Sequence, residues 1–345
     1  MRKFFLIFFI LIFLAIFLFF ISQKISIQKG DFLNNLKLRV KEVPFLKTQQ
    51  VTCPLCGENT EKFYINRRPL CVMIENHPKA RPQTGLDKAC IVYEAPAEGG
   101  ITRFMGVYLH KDAEKLGPIR SARPYFIDLS LEYKGIYVFC GQSWEAFDKI
   151  SSLNFPTINQ MWRPKAFWRE KKRKMPHNLY TKSKNLREVV KEKGWELGVP
   201  PEEKFLFLDE IKKPENPVKK ILIRFPGGYR VSYSYDEKNN IYLRYIMGNP
   251  HIDERTNKQL FAKNIIIQYV SASVYDEAGR LLVGIIGGGS AKIIRGGEEI
   301  EGKWFKKDEF SPTTYFDMQD NIIKFLRGNF WIEIVPLNTK VEIFK

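Results

Sequence analysis

An unbroken apolar run from Phe4 to Ile21 constrains this chain more than any other feature. At about 1.5 Å rise per residue, a helix over that run reaches roughly 27 Å, close to the thickness of a hydrocarbon core. Arg2 and Lys3 precede it, which sets the N-terminus on the cytoplasmic side, while Lys24 and Lys29 weaken the asymmetry. A cleaved signal peptide has a shorter core followed by small residues, whereas Ser22-Gln23-Lys24-Ile25 follows here. No cysteine stands close behind the run, so a lipid-modified N-terminus does not fit. The expectation is a single-pass signal anchor over 1–22, a lysine-rich stalk over 23–51 and an extracytoplasmic body over 52–345.

With 345 residues, 44% hydrophobic and 27% charged, the chain can bury a proper core and is not disordered. Its formal charge of +17 favours anionic partners. Outside a membrane these are an anionic envelope polymer or lipid headgroups, and nucleic acid is not expected. Drift toward a Lys-rich, Phe-rich composition, common in AT-rich genomes, accounts for part of the same charge equally well.

Within the body, apolar runs read as strands over Leu70–Ile74, Ile91–Glu94, Phe104–Leu109 and Ile136–Phe139. Helices are expected over Pro124–Tyr133, over Trp144–Leu153, and after Asn185, where Asn185 and Glu188 have capping-box spacing and Gly194 marks the stop. From Val218 the pattern becomes mainly β, with strands over Ile221–Phe225, Tyr229–Tyr235, Ile241–Ile246, Ile265–Val270, Leu281–Ile286, Ala291–Ile294 and Trp331–Val335. The body therefore divides into a mixed half, 52–200, and a β-rich half, 218–345.

Of the five cysteines, Cys53 and Cys56 form a lone C-x-x-C in which Pro54 and Gly57 signal a turn. A local disulfide and a partial metal-ligand pair both fit. No histidine is near in sequence to complete a zinc set, so no metal and no cofactor are expected. Cys71, Cys90 and Cys140 fall in apolar runs and read as buried, inert thiols.

The chemistry-bearing residues concentrate just beyond strand ends, where loops gather binding groups. Glu75 and Glu94 close apolar runs, Arg103 opens one, and Arg120, Ser121 and Arg123 enter a helix. With His77 and Arg81 they are expected to converge on one face and to bind a ligand rich in carboxylate, phosphate or hydroxyl groups. His177 and Asn178 join this ligand-binding set. An internal ion-pair network of the same arginines with Glu75, Glu94 and Glu98 is the alternative. Glu94, Glu98 and Asp128 would serve glycoside hydrolysis, and Ser121 or Ser143 with His77 or His177 would serve nucleophilic chemistry. No spacing requires either, so no catalytic residue is assigned. A second cluster, Trp162 to Lys174, interleaves aromatics with dense positive charge, as on surfaces that stack on rings and track a polyanion.

Several segments resemble the YerB-like family of bacterial envelope proteins, many of them lipoproteins. These are Val72 to Gln83, Ile91 to Ala95, Glu98 to Phe104, Gly117 to Phe126 and Pro176 to Thr181, with Pro250 to Asp253, Gly302 to Trp304 and Pro312-Thr313 in the later half. The resemblance spans roughly 53–340 and departs at the anchor, Cys56 and Trp144. It implies an α/β (α+β) fold of stacked mixed β-sheets, with helices on one side and both halves contributing. It supplies no reaction. The function expected is binding or scaffolding of a polar or anionic envelope component at the cell membrane, with an envelope hydrolase acting on a glycan or phosphodiester as the alternative.

Overall fold

The apolar runs of the first half pair into a mixed ten-stranded sheet that the second half completes. The computed structural model describes residues 17–19, 21–26, 28, 49–196 and 204–345. In spatial order the strands are Thr314–Asp317, Glu298–Lys306, Gly287–Arg295, Asn264–Val270, Phe330–Pro336, Ile91–Pro96, Thr102–Tyr108, Leu70–Glu75, Ile136–Phe139 and Thr157–Asn159. The Phe330 strand runs parallel between the Asn264 and Ile91 strands, so the seam between the halves is a hydrogen-bonded ladder inside one sheet. A strand in that position is covered on both faces. Phe330–Pro336 is accordingly buried at every residue and is apolar except for Glu333.

Period-two alternation distributes the side chains between two cores. Cys71, Met73, Tyr93, Met105, Val107 and Ile332 face a first core with the helices Pro124–Leu131 and Trp144–Leu153. Val72, Ile74, Val92, Phe104, Ile265 and Trp331 face a second core. That core is closed by the helix Ser183–Glu192 and by the inner face of a second sheet. The second sheet runs Asn249–Pro250, Ile241–Ile246, Arg230–Asp236, Lys220–Arg224 and Lys340–Phe344, with Phe261–Ala262 added on the Ile241 strand. Stacked mixed sheets drawn from both halves agree with the expected fold. Helices lie on both faces of the large sheet and not on one, because both of its faces are apolar and each needs cover.

The strands and the first two helices expected in the first half are present to within a few residues. The third helix begins at Ser183, with Lys182 as an extended N-cap that makes no side-chain cap bond. Asn185 therefore lies inside the helix, where its amide donates to the Ala166 carbonyl at 3.3 Å, and no capping box forms there. In the second half the strand at Leu281 stops at Val283, while Ala291–Ile294 is the middle of the longer strand Gly287–Arg295. Glu298–Lys306 is a full strand whose alternation is hidden in sequence: its inward positions Gly302, Trp304 and Lys306 are neither uniformly apolar nor large. Of the expected anchor, Phe17, Leu18, Phe19 and Ile21 are described, helical and exposed; the rest of that run lies outside the described residues. Among the described residues no helix is long and apolar enough to cross a membrane.

Polar contacts also join the halves. Glu132, buried after the first helix, meets Lys204 Nζ at 2.5 Å and Lys306 Nζ at 3.6 Å, and accepts from the Thr313 amide at 2.8 Å. Burial alone would raise the Glu132 pKa, but Lys204 and Lys306 hold it at about 2. Residues 50–200 and 218–345, expressed as separate polypeptides, are each expected to lack a cooperative thermal transition, since each exposes one edge of the Phe330 seam. A sharp calorimetric transition from either half would contradict this.

Candidate functional site

The residues expected to form one site divide between the two faces of the large sheet, and strand parity decides which goes where. Glu75 and Arg103 are register partners on adjacent antiparallel strands and share a face. Glu94 belongs to the opposite face, in phase with Val92.

On that opposite face, Glu94 and Glu333 are register partners on parallel strands, and both are fully buried. Two facing carboxylates repel. Arg244, from the second sheet, separates them: its guanidinium bonds Glu94 and lies 3.7 Å from Glu333. Arg244 is itself fully buried, and its guanidinium carbon lies 4.1 Å from the centre of the Trp331 ring. Burial alone would lower its pKa; the Glu94 carboxylate raises it well above the usual value. One cation cannot neutralise two anions. Burial, then the neighbouring Glu94, pushes Glu333 well above the usual carboxylate range, and Glu333 takes the Tyr233 hydroxyl as donor. Arg244 also donates to His251 Nδ1 at 2.5 Å, and His251 Nε2 lies 3.0 Å from Gln83 Oε1. Burial and the Arg244 charge keep this imidazole neutral, well below its usual pKa. Arg81 belongs to the same network: it donates to Asn76 Oδ1 at 3.0 Å and lies over the Tyr229 ring at 5.2 Å. Glu94 is thus sealed between the two sheets, while Arg81 is half-buried at the margin of the same network.

The remaining residues collect at the end of the first face. Arg120 Nε lies 3.2 Å, and His177 Nδ1 3.0 Å, from the same oxygen of Glu75, whose carboxylate is 2% exposed. The second oxygen of Glu75 is buried and has no protein partner. His77 stacks on His177 with centroids 4.6 Å apart and 14° between planes. Burial and then the His177 charge lower the His77 pKa. Next to them, Glu98 joins two arginines: Arg123 donates to one of its oxygens, and Arg103 Nη2 lies 3.4 Å from the other. Burial would raise the Glu98 pKa, but Arg123 and Arg103 hold it below the usual range. Asn178 is buried, donating to the carbonyls of Glu170 and Arg173 at 2.9 and 3.0 Å. It shapes the loop carrying His177 and does not face outward.

Arg120 to Arg123 run beside the loop that follows the Ile136 strand: the Cys140 amide donates to Arg120 O at 3.1 Å and the Ala122 amide to Gly141 O at 3.0 Å. This brings Ser121 and Arg123 to an open cleft of about 630 Å³, with Gln142, Ser143, Asn159 and Arg280. Trp144, Phe147, Met161 and Trp162 supply its apolar surface. Trp144 is 74% and Trp162 62% exposed, unusual for indoles in a folded body. Ser143 caps the helix that opens there, accepting from the Ala146 amide at 3.3 Å. The cleft aromatics were legible only in part: Trp162 stood in the basic-aromatic cluster, while Trp144, at the start of an expected helix, is a position where the chain departs from the family pattern. Of that cluster, Lys171, Lys172 and Lys174 are exposed, whereas Arg173 is tied to the Tyr180 hydroxyl, to Pro82 O at 2.9 Å and to Glu254 at 3.3 Å.

The carboxylates considered for glycoside hydrolysis do not face one another. Glu94 is sealed between the sheets, and Asp128, on a helix of the other face, pairs with Lys149. Cys71 is fully buried, and burial pushes its thiol up. Cys90 has close neighbours instead: Cys53 Sγ at 3.9 Å and His110 Nδ1 at 3.3 Å, with Cys56 in the same cluster.

The network sets a pH dependence with a definite sign. Glu333 is protonated in the fold, so its contribution is complete below the ordinary glutamate range and is lost as pH rises through its raised folded value. Glu333→Gln is expected to melt at or above wild type at pH 8 and to flatten the decline between pH 5 and 8. Glu94→Gln strips Arg244 of its counter-charge and is expected to cost about 3–5 kcal/mol. Thermal melts across that pH range check both; equal losses at pH 8 would refute the assignment of the proton to Glu333.

Residues 55–196 match the N-terminal domain of a family described as a protein of unknown function, DUF3048, and residues 221–332 match its C-terminal domain. The chain is 34% identical over 293 residues to the protein named "Putative lipoprotein YerB" of Bacillus subtilis (strain 168), covering 84% of this chain and 87% of that one. The crystal structure of the YerB protein from Bacillus subtilis superimposes with a TM-score of 0.77 at 33% identity, over 85% of this chain and 99% of the other. On fold and sequence together, the chain belongs to the YerB-like DUF3048 family.

Proposed function

We propose that this protein is held at the outer face of a cell membrane by its N-terminal apolar helix and binds a polar, anionic glycan of the envelope in the cleft beside Arg123. The observation that carries the reading is the pairing of two exposed indoles, Trp144 and Trp162, with a polar lining of Ser121, Arg123, Gln142 and Asn159. An indole face offers a flat apolar surface to the C–H face of a sugar ring, and guanidinium and amide groups bind its hydroxyl, carboxylate or phosphate substituents. Arg123 is braced by Glu98, which fixes its direction and lowers the entropy lost on binding. The net charge of +17 and the exposed Lys171, Lys172 and Lys174 favour approach of a polyanion. The paired-carboxylate form of the hydrolase alternative gains no support, since Glu94 is sealed between the sheets and Asp128 pairs with Lys149.

Membrane attachment follows from Phe4–Ile21 and from the lipoprotein name of the relative, which points to the same compartment by a different anchor. In this chain the first cysteine is Cys53, and it is buried in the body. Attachment by an uncleaved helix is the reading that agrees with both facts.

Two outcomes are expected. Trp144→Ala combined with Trp162→Ala should weaken binding to an anionic cell-wall polymer at least tenfold with the melting temperature within about 2 °C of wild type, since both rings are exposed. Wild-type binding should also weaken as salt rises. Unchanged binding by isothermal calorimetry would remove the cleft from the function. For the anchor, a reporter active only outside the cytoplasm, fused after Lys345, should be active and sediment with membranes; activity released into the medium would show a cleaved segment.

A further inference from the structure

The geometry points to a structural zinc site formed by Cys53, Cys56, Cys90 and His110. Their four ligand atoms lie within 4.8 Å of one another. Cys53 Sγ is 3.9 Å from Cys90 Sγ, Cys56 Sγ is 3.9 Å from His110 Nδ1, and Cys90 Sγ is 3.3 Å from that nitrogen. A zinc ion about 2.3 Å from sulfur and about 2.0 Å from nitrogen sets tetrahedral edges of roughly 3.5–3.8 Å. The cluster has the size of such a tetrahedron and the ligand set of a common structural zinc site.

The surroundings are those of a metal site and not of a chance meeting of thiols. His110 Nε2 lies 2.9 Å from Glu58 Oε2, and Glu58 also pairs with Lys111. A carboxylate only accepts, so Nε2 carries the proton and Nδ1 keeps a lone pair directed at the cysteines. This is the carboxylate–histidine arrangement that orients metal-bound imidazoles. The backbone is shaped to match. Gly57 takes φ +71 and donates to Cys53 O at 2.8 Å, while the Cys53 amide donates to Glu58 O at 2.8 Å. The C-x-x-C is thereby folded into a tight turn with both thiols on its inner side. Any Cβ at Gly57 would meet the Phe207 ring at 2.8 Å.

All four residues are buried, with Cys53, Cys56 and Cys90 at most 2% exposed and His110 8%. Four protein ligands leave no open position, so the role is structural. Three soft thiolates and one imidazole select zinc over hard cations. A disulfide would use two of the three thiols and leave the third, with the braced histidine, unexplained. The consequence is mechanical. The site clips the first turn of the body, directly after the strand Gln50–Thr52, to the Ile91 and Thr102 strands at the centre of the large sheet.

The test uses the full chain purified in detergent without chelator. Elemental analysis should read about one zinc per chain. Cobalt exchanged for it should give the visible bands of a tetrahedral site together with thiolate-to-cobalt charge transfer in the near ultraviolet. Cys90→Ser and His110→Ala should each lose at least nine-tenths of the metal, whereas Cys140→Ser, which removes a thiol outside the cluster, should retain it. Should the ligand variants fail to fold, the wild type alone decides. Zinc removal should lower its melting temperature and zinc re-addition restore it. Wild-type protein that holds no zinc and takes up no cobalt after reduction would overturn the site. So would a disulfide among Cys53, Cys56 and Cys90 in the purified protein, or metal retained in folded Cys90→Ser and His110→Ala.

Discussion

The seating of one sheet on the other depends on a fully buried cation. Arg244 reaches from the second sheet to Glu94 and Glu333, register partners on neighbouring central strands of the first. Without it, two carboxylates would face each other in a dry interior. With it, Glu94 is paired, and Glu333, its pKa pushed up by burial and by Glu94, accepts from the Tyr233 hydroxyl. Such a pair adds little net stability compared with apolar residues of the same volume, but removing one partner is costly. Its effect is positional: the guanidinium fixes how the second sheet sits on the first, and through His251 and Gln83 it reaches the carbonyl of Glu75 at 3.0 Å. The interior network therefore ends at the backbone of the residue that opens the outer cluster.

That connection explains why polar residues so close in sequence have unlike roles. Glu75, Arg103 and the Arg120–Arg123 segment lie at the strand ends of the face that carries the helices Pro124–Leu131 and Trp144–Leu153, with Glu75 and Arg103 buried beneath the partly exposed Arg120. Glu94 differs from them only by strand parity, and parity sends it into the sheet–sheet interface. The arginine block contains internal ion pairs, as with Glu75 and Glu98, and also residues that line an open cleft. Glu94 belongs to the interior, Arg81 is half-buried beside it, Arg120 is partly exposed, and Arg123 is braced by Glu98 while lining the cleft.

Much of the fold was legible because apolar runs and turn residues mark strands locally, as at Leu70–Glu75, Ile136–Phe139 and the Gly296-Gly297 turn. What could not be read were facts of pairing. Glu298–Lys306 does not stand out because its inward positions include Gly302 and Lys306 beside Trp304. The third helix starts two residues before Asn185 because its first turn is fixed by tertiary contact: Ser183 Oγ accepts from the Ala113 amide at 2.9 Å. The cysteine cluster shows the same limit most clearly. Cys90 and His110 are 20 residues apart, and neither has ligand spacing to Cys53. Once Ile91 pairs antiparallel with Val107, the residue before one strand and the residues after the other share an edge. A cysteine just before a strand and a histidine just after its antiparallel neighbour was the signal available, and it required the register to be seen.

The shape of the cleft fits a protein confined to a surface. It is open, moderately sized and ringed by exposed aromatics, whereas a site that must capture a free ligand from dilute solution is usually deeper and encloses most of it. A body tethered beside an envelope polymer meets its ligand at a high effective concentration, and repeated weak contacts along one polymer add through avidity. Under those conditions two indole platforms, one braced arginine and a basic exterior are sufficient, and a deep pocket would slow release. Rigidity then matters more than enclosure, because each contact is weak and cannot also offset the entropy of ordering its own scaffold. The Glu98 brace on Arg123, the Ser143 helix cap and the two-sided cover of the sheet all act in that direction, holding the groups that line the cleft in place.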